Sequence, residues 1–239
     1  MSVPYSVPLR QLALRAGMLR GSQVYGIDTS YLSTPLTKAE LSDGPYPLQG
    51  LKDALLSAEE ALANAIADTG NHPWRAYLLS ETAALSTGDP MPSVDVNDDP
   101  IIGIYGSVVD GADTTLICTE QPTEVIRRWK QSSGYWVIPF YYYSLDGNGI
   151  THTRTTVKVQ VCVYNRATQS AAVDANDPML LPDTLEEAMV AGGVAKLNAP
   201  NAAIYATMFN ATLASIRAGL ASVAAAATGG PSMVREVST

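Results

Sequence analysis

The stretch LQGLKDALLSAEEALANAIADT, residues 48–69, contains the apolar pattern that decides the fold. Its apolar side chains recur at spacings of three or four residues, which places them on one face of an α-helix. Gly70 and Pro73 predict that the helix stops just after residue 69. The members of the apolar stripe are Leu48, Leu51, Leu55, Ala58, Leu62 and Ile66.

A second long helix is predicted near the other end of the chain, over residues 202–226, before the breaker run at 229–231. A helix with one apolar stripe must bury it, so we expect this helix and the helix at 48–69 to pack against each other. The stripe of the second helix consists of Tyr205, Phe209, Leu213, Ile216, Leu220 and Val223.

A shorter helix is predicted just before it, over residues 184–197. Asp183 precedes Glu186 by three residues, a spacing that predicts a capping box at the helix start. The pair Gly192-Gly193 weakens a helix but allows a neighbouring backbone to approach closely.

The middle of the chain has a β pattern. The runs 101–109 and 114–119 flank Asp110-Gly111, which is a typical hairpin turn pair. In residues 156–164, TVKVQVCVY, valines alternate with Lys158, Gln160 and Cys162, so one face is expected to be buried and the other polar. A short helix is predicted over 122–131 and a turn at 146–149. Residues 135–143 are predicted to form a strand, and Pro139 indicates either an edge strand or a bulge there.

The N-terminal part combines a short helix, predicted over 8–19, with a long irregular connection over 20–47 that is rich in Gly and Pro. The run WRAYLL at 74–79 fits either a strand or a second helix. Arg10, Arg15 and Arg20 occur in a segment without acidic residues. They indicate either solvated arginines on a helix or a basic segment that contacts an acidic partner or DNA.

These elements predict an α+β fold, in which a helical bundle core from the N- and C-terminal helices carries an inserted small antiparallel β-sheet region. The expected organisation is 1–47 as an N-terminal helix and extended arm, 48–100 and 178–228 as the helical core, 101–165 as a β-rich insertion, and 229–239 as an exposed C-terminal tail.

Composition limits the function. The chain has 239 residues and a net charge of −8, from 15 Lys and Arg against 23 Asp and Glu. Overall it lacks the clustered cations that an electrostatic nucleic-acid binder needs to neutralise phosphates. No signal peptide or long apolar stretch is evident, so we expect no membrane partner and synthesis in a cytoplasm.

The residues that usually carry chemistry do not form a recognisable site. His72 and His152 belong to no metal-ligand motif, and Cys118 and Cys162 are expected to be buried thiols without a partner. The acidic loop DVNDDP at 95–100 lacks the full calcium-loop pattern and is interpreted as solvated. We therefore expect no catalytic, cofactor-binding or metal-binding residues, and the protein is predicted not to be an enzyme.

Several segments in the second half resemble the head-to-tail adaptor (connector) proteins of tailed bacteriophages. The likeness is carried by IIGIYGSVVDGADTTLICTE at 101–120, by YYYSLDGNGITHTRTTVKVQVCVY at 141–164, and by LPDTLEEAMVAGGVAKL at 181–197, which leads into the Ala-rich last helix. It extends over 135–225 in motif and over about 48–224 in layout.

The resemblance implies a structural subunit of the virion neck, assembled in the host cytoplasm into a twelve-fold ring. Such a ring joins the portal protein to a tail or nozzle protein and continues the channel through which genomic DNA passes without sequence-specific binding. The tail would contact the portal through Met233, Val234, Arg235 and Val237.

Two alternatives stay open. One is another phage neck, tail-completion or nozzle structural protein, which would differ in partner and symmetry. The other is an enzyme or small-molecule binder with an unusual site, which a buried, perturbed carboxylate such as Glu81 or Glu120 in a deep pocket would favour.

Overall fold

The protein has an α+β fold, as the sequence predicts. The structure is a computed structural model, and it describes residues 3–20, 33–69, 72–86, 92–109, 115–118, 142–145, 151–153 and 156–228. Of residues 106–157 and 220–228 within these ranges, the backbone alone is described.

Helices occupy both ends of the described chain, and the predicted helices at 48–69, 184–197 and 202–226 are confirmed to within two residues at each end. The run 74–79 forms mostly a 3-10 helix, at Pro73–Leu78. The α-helices are α1 (Ser6–Arg15), α2 (Leu48–Asp68), α3 (Arg166–Ala175), α4 (Glu186–Leu197) and α5 (Ala202–Thr228).

Helix α1 ends four residues before its predicted end at residue 19. Gly17 adopts a left-handed conformation with φ of 71°, which glycine reaches without steric cost. The N–H of Gly17 donates to the carbonyl oxygen of Leu14 at 3.0 Å, and the N–H of Met18 donates to that of Ala13 at 2.8 Å. These bonds satisfy the last carbonyl groups of the helix and turn the chain away from its axis.

Helix α3 is absent from the sequence-based prediction, although both of its ends have side-chain signals. The Asn165 side chain accepts from the N–H groups of Ala167 at 3.0 Å and Thr168 at 3.3 Å, as an N-cap does. At the other end, Asn176 takes the left-handed conformation that stops a helix.

The strands form an antiparallel sheet in the order β1-β7-β3-β4-β5-β6, and β2 also pairs with β7. The predicted strands at 101–109, 114–119 and 157–163 are confirmed, while β1 and β2 precede the predicted β-rich insertion. The strands are β1 (Leu79–Glu81), β2 (Leu85–Ser86), β3 (Ile101–Val109), β4 (Thr115–Cys118), β5 (Tyr142–Leu145), β6 (Thr151–Thr153) and β7 (Thr156–Val163).

Strand β7 is buried on both faces near its C-terminal end, which corrects the expectation of one polar face. Val159 and Val161 are buried as predicted, but Cys162 is also fully buried. Cys162 pairs with Gly103 of β3, and a Cβ atom added at Gly103 would lie 3.1 Å from the Cβ atom of Ala67. Helix α2 therefore covers this face of the sheet, and the glycine allows the close approach.

Helices α2 and α5 contact each other, as expected, but each of them packs more extensively on α4. A Cβ atom added at Gly192 would lie 2.6 Å from the Cβ atom of Ala58 and 2.8 Å from the ring of Phe209. At Gly193 the added atom would lie 2.9 Å from the side chain of Leu12 in α1. The predicted close approach at the glycine pair is confirmed.

The predicted capping box at the start of α4 does not form. The helix begins at Glu186 after a short 3-10 turn, and no side chain caps it. The Asp183 carboxylate instead accepts a hydrogen bond from the N–H of Val3 at 3.0 Å. The Asp183 carboxylate, which the sequence predicts to cap α4, therefore binds the N-terminal segment instead.

Other predictions fall outside the described residues. They are the Asp110-Gly111 turn, the helix over 122–131, the part of the strand from 135 to 141 that includes Pro139, the turn at 146–149, and the tail over 229–239.

Two glycine-to-alanine changes in helices should have opposite effects on stability. Gly192→Ala should lower the free energy of unfolding by about 1–2 kcal/mol, because the strain of overpacking exceeds the gain in helix propensity. Gly50→Ala should raise it by about 0.5–1 kcal/mol, because the nearest atom to an added Cβ, in Pro47, is at an ordinary 3.4 Å. Urea denaturation of both variants measures this, and a stabilised Gly192→Ala protein would contradict the close contact at α4.

Candidate functional site

The acidic loop at 95–100 is organised by its own hydrogen bonds. Oδ1 of Asp95 accepts from the N–H groups of Asn97 and Asp99, each at 2.8 Å, and Oδ2 accepts from the hydroxyl group of Ser80. Burial alone would raise the pKa of Asp95, but these donors together hold it below its usual value. The carboxylate therefore shapes a turn, and no group of three or more His, Cys, Asp or Glu residues in the described ranges has the arrangement of a metal site.

The histidines and cysteines that the structure describes serve local structure. His72 accepts a hydrogen bond from the N–H of Trp74 at 3.2 Å through Nδ1, and burial lowers its pKa. Cys162 is buried without a disulfide, as predicted, and burial raises the pKa of its thiol. The side chains of His152 and Cys118 lie outside the described part of the structure.

The interpretation as solvated arginines is wrong for Arg10, which is buried, while Arg15 is half-buried and Arg20 is exposed. The alternative, that the segment contacts an acidic partner or DNA, stays a prediction. Each of the three arginines has a partner within the chain. Arg10 is buried and forms an ion pair with Glu40 at 2.7 Å. Arg15 forms two hydrogen bonds with the carboxylate of Glu187, at 2.6 and 2.8 Å. Arg20 donates through Nε to a backbone carbonyl oxygen at 3.0 Å. These groups attach the N-terminal segment to the rest of the protein.

The residues predicted to contact the portal cannot be placed. Met233, Val234, Arg235 and Val237 lie outside the described residues, as does most of the aromatic run at 135–143. Their assignment stays a sequence-based prediction.

A buried carboxylate, Glu59 of α2, is the main polar feature of the described core. Its side chain is fully buried, and Tyr5 donates to Oε1 at 2.7 Å while Tyr164 donates to Oε2 at 3.2 Å. Tyr5 also approaches Oε1 of Gln169 at 3.0 Å and accepts from the N–H of Leu180 at 3.4 Å. We call Tyr5, Glu59, Tyr164 and Gln169 the Glu59 cluster.

The environment makes Glu59 hard to ionise. Burial raises its pKa to about 7, against the opposing effect of the hydrogen bonds from the two tyrosines and from the backbone of Leu180 and Leu181. Burial and the adjacent carboxylate also raise the pKa of both tyrosine hydroxyls, which stay protonated. The cluster therefore holds one group that titrates near neutrality.

The sequence pointed to different carboxylates. Glu81 lies at the surface and forms an ion pair with Lys158 at 2.6 Å, while Glu120 lies outside the described residues. A signal for Glu59 was present, because it lies four residues after Leu55 and three before Leu62, on the apolar stripe of α2. An acidic residue on a buried stripe needs hydrogen-bonding partners, and these come from distant parts of the chain.

The outer face of α5 is the second candidate, as an interaction surface. Ile204 and Met208 are 61% and 43% exposed, and the residues between Ala202 and Ile216 include no charged side chain. Asn210 and Arg217 are also exposed and lie beside these residues. We define the α5 face as the exposed residues with apolar or small hydroxyl side chains, which are Ala203, Ile204, Thr207, Met208, Ala211, Ala214, Ser215 and Ala218.

Comparison of the chain with protein-family models, with curated proteins and with solved structures finds no match. Among the described helices, none is both long enough and apolar enough to cross a membrane.

Replacing Glu59 with Gln should change how stability depends on pH. The pKa of Glu59 is higher in the folded chain than its ordinary value of 4.5, so its protonation stabilises the fold at low pH. That contribution is complete below about pH 4.5 and is lost as the pH rises through about 7. Between about pH 5.5 and pH 8, the wild type should lose about 2 kcal/mol relative to Glu59→Gln. Urea denaturation at both pH values measures the difference, and parallel curves for the two proteins would refute it.

Proposed function

We propose that this protein is a structural subunit of a phage neck, a head-to-tail adaptor that assembles into a ring between the portal and the tail. The proposal extends the resemblance of residues 135–225 to that family. The observation that carries it in the structure is the α5 face, an apolar surface on the helix at the end of the described chain. In this proposal the protein has no catalytic role and needs no cofactor.

The chemistry of the α5 face supports contact with another protein. Exposed apolar side chains that cluster on one surface are typical of interaction sites. The first charged residue of the helix is Arg217, so two chains of net charge −8 can approach at this face without bringing acidic groups together. The alternating small residues also allow a partner helix to approach closely.

The net charge supports a passive relation to DNA. A ring of acidic subunits repels the phosphate backbone, so a genome can slide through the channel without being held. The described arginines of the N-terminal segment pair with acidic or backbone groups of the same chain, which is consistent with this role.

The proposed partners can be tested by the mass of the complex in solution. We expect light scattering to detect a small species for the chain alone and a complex with about a dozen copies on a purified portal ring. The same measurement on a chain without residues 229–239 tests whether the tail binds the portal. A full-length chain that does not bind the portal would refute the adaptor role. If such a chain binds a tail or nozzle protein instead, that result would favour the role of another neck component.

The role of the α5 face can be tested with a matched pair of charge insertions. Met208→Glu should weaken assembly on the portal at least tenfold, because it places a carboxylate in an apolar contact. Asn64→Glu adds the same charge at an exposed position of α2 and should leave assembly unchanged. Equal assembly of the two variants, each checked for unchanged thermal unfolding, would show that α5 is not the contact surface.

A further inference from the structure

The N-terminal residues are paired with a distant loop, and this pairing lies directly over the Glu59 cluster. The N–H of Tyr5 donates to the carbonyl oxygen of Asp177 at 3.1 Å, and the N–H of Met179 donates to that of Val3 at 2.9 Å. The Asn176 side chain accepts from the N–H of Ser6 at 2.8 Å. We call residues 3–6 together with 176–181 the clasp.

Tyr5 connects the clasp to the buried carboxylate. Its hydroxyl group donates to Glu59 and accepts from the N–H of Leu180, so one oxygen atom links both halves of the clasp to α2. The hydrogen-bonding state of Glu59 is therefore transmitted to residues 3–6 and to the loop through a single side chain.

The same heavy-atom positions allow the carboxyl group of Glu59 to form hydrogen bonds in both of its protonation states. When Glu59 is ionised, Tyr5 and Tyr164 each donate to one of its oxygen atoms. When Oε2 carries a proton, it can donate to the hydroxyl oxygen of Tyr164, whose own proton then turns to the carbonyl oxygen of Leu56 at 3.3 Å. Tyr5 continues to donate to Oε1. The change needs no side-chain movement, but the ionised state places a charge in the core.

Among the described residues, no cationic side chain forms an ion pair with Glu59. Tyr5 and Tyr164 contact Glu59 directly, and the nearby Glu60 and Arg166 pair with each other at 2.9 Å. Burial is accordingly the main influence on the pKa of Glu59, which it raises. The remaining ionisable groups on α2, on α3 and in the segment that follows α3 are Lys52, Asp53, Asp68, Asp174, Asp177 and Asp183. Of these, Asp174 pairs with Lys52, and Asp183 accepts a hydrogen bond from the N–H of Val3.

We propose that the Glu59 cluster is a proton-dependent switch that controls the clasp. When Glu59 is protonated, residues 3–6 are held against residues 176–181, and when Glu59 is ionised, this pairing loosens. This inference is independent of the adaptor role. An ionised carboxylate is more stable in water than in the core, so ionisation favours any state that brings water to Glu59.

The structure offers a short route for that water. A surface cleft adjoins the cluster, and its walls include Tyr164, Gln169 and Leu180. Because Leu180 belongs to the clasp, displacement of the loop would join this cleft to the space around Glu59. Residues 3–6 and 176–181 are thus the parts that have to move.

Amide hydrogen exchange resolved by residue, with correction for the intrinsic exchange rate, tests the clasp in the full chain. The reporters are the N–H groups of Tyr5 and Met179, and those of Leu62 and Ile66 in α2 report opening of the core. In the wild type, the opening constant of the clasp should rise about tenfold between about pH 6 and pH 8.5. The reason is that the pKa of Glu59 is about 7 when the clasp is closed and returns towards its ordinary value of 4.5 when water reaches the carboxyl group.

Variants identify the group responsible. Glu59→Gln should abolish the pH dependence of opening, while Glu60→Gln removes the neighbouring, half-exposed carboxylate and should retain it. Tyr5→Phe removes the hydroxyl group that links the clasp to Glu59, so the clasp amides should exchange faster at all pH values. The loss of a hydrogen bond to the carboxylate should also raise the pKa of Glu59, so the opening constant should keep rising to a higher pH than in the wild type. This third variant tests the proposal even where Glu59→Gln fails to fold.

Two results would overturn the clasp. The first is an equal pH dependence of opening in the wild type and in Glu59→Gln. The second is identical opening constants for the clasp amides and the α2 amides at every pH, because the N-terminal residues would then be released by global unfolding alone.

Discussion

The close contact of α4 with its neighbours is the constraint on which the helical core depends. Gly192 lies against Ala58 of α2 and Phe209 of α5, and Gly193 lies against Leu12 of α1. Dispersion and apolar burial are strongest when interiors are densely packed, so a side chain at Gly192 would separate α4 from α2 and α5, and one at Gly193 would separate it from α1. The sheet is attached to the same core at Gly103, where β3 meets the end of α2.

The sequence predicts those parts of the structure that depend on local patterns. The stripe of α2, the buried Val159 and Val161 of β7 and the glycine pair of α4 each follow from the spacing of a few residues, and all were predicted correctly. Features that depend on distant partners were not. Asp183 binds Val3 instead of capping α4, and the face of β7 that was expected to be polar is covered by α2. A local sequence pattern does not indicate which residue far along the chain will become a contact partner.

The same distinction applies to the candidate sites. Glu59 lies visibly on an apolar stripe, but the two tyrosines that make its burial tolerable come from the N-terminus and from the end of β7. The buried cluster and the exposed α5 face serve different purposes in this account. We propose that the first joins the N-terminal segment to the core in a way that depends on protonation, and that the second forms a contact with another protein.

The most direct test of the account is a cryo-electron microscopy map of the chain assembled on its portal. If the protein is the proposed adaptor, we expect a closed ring in which Ile204 and Met208 of each subunit are buried in a protein contact. We also expect the passage through the ring to be lined mainly by acidic and neutral groups. A map in which the α5 face stays exposed to solvent, or in which the chain binds the portal without forming a ring, would contradict the proposal.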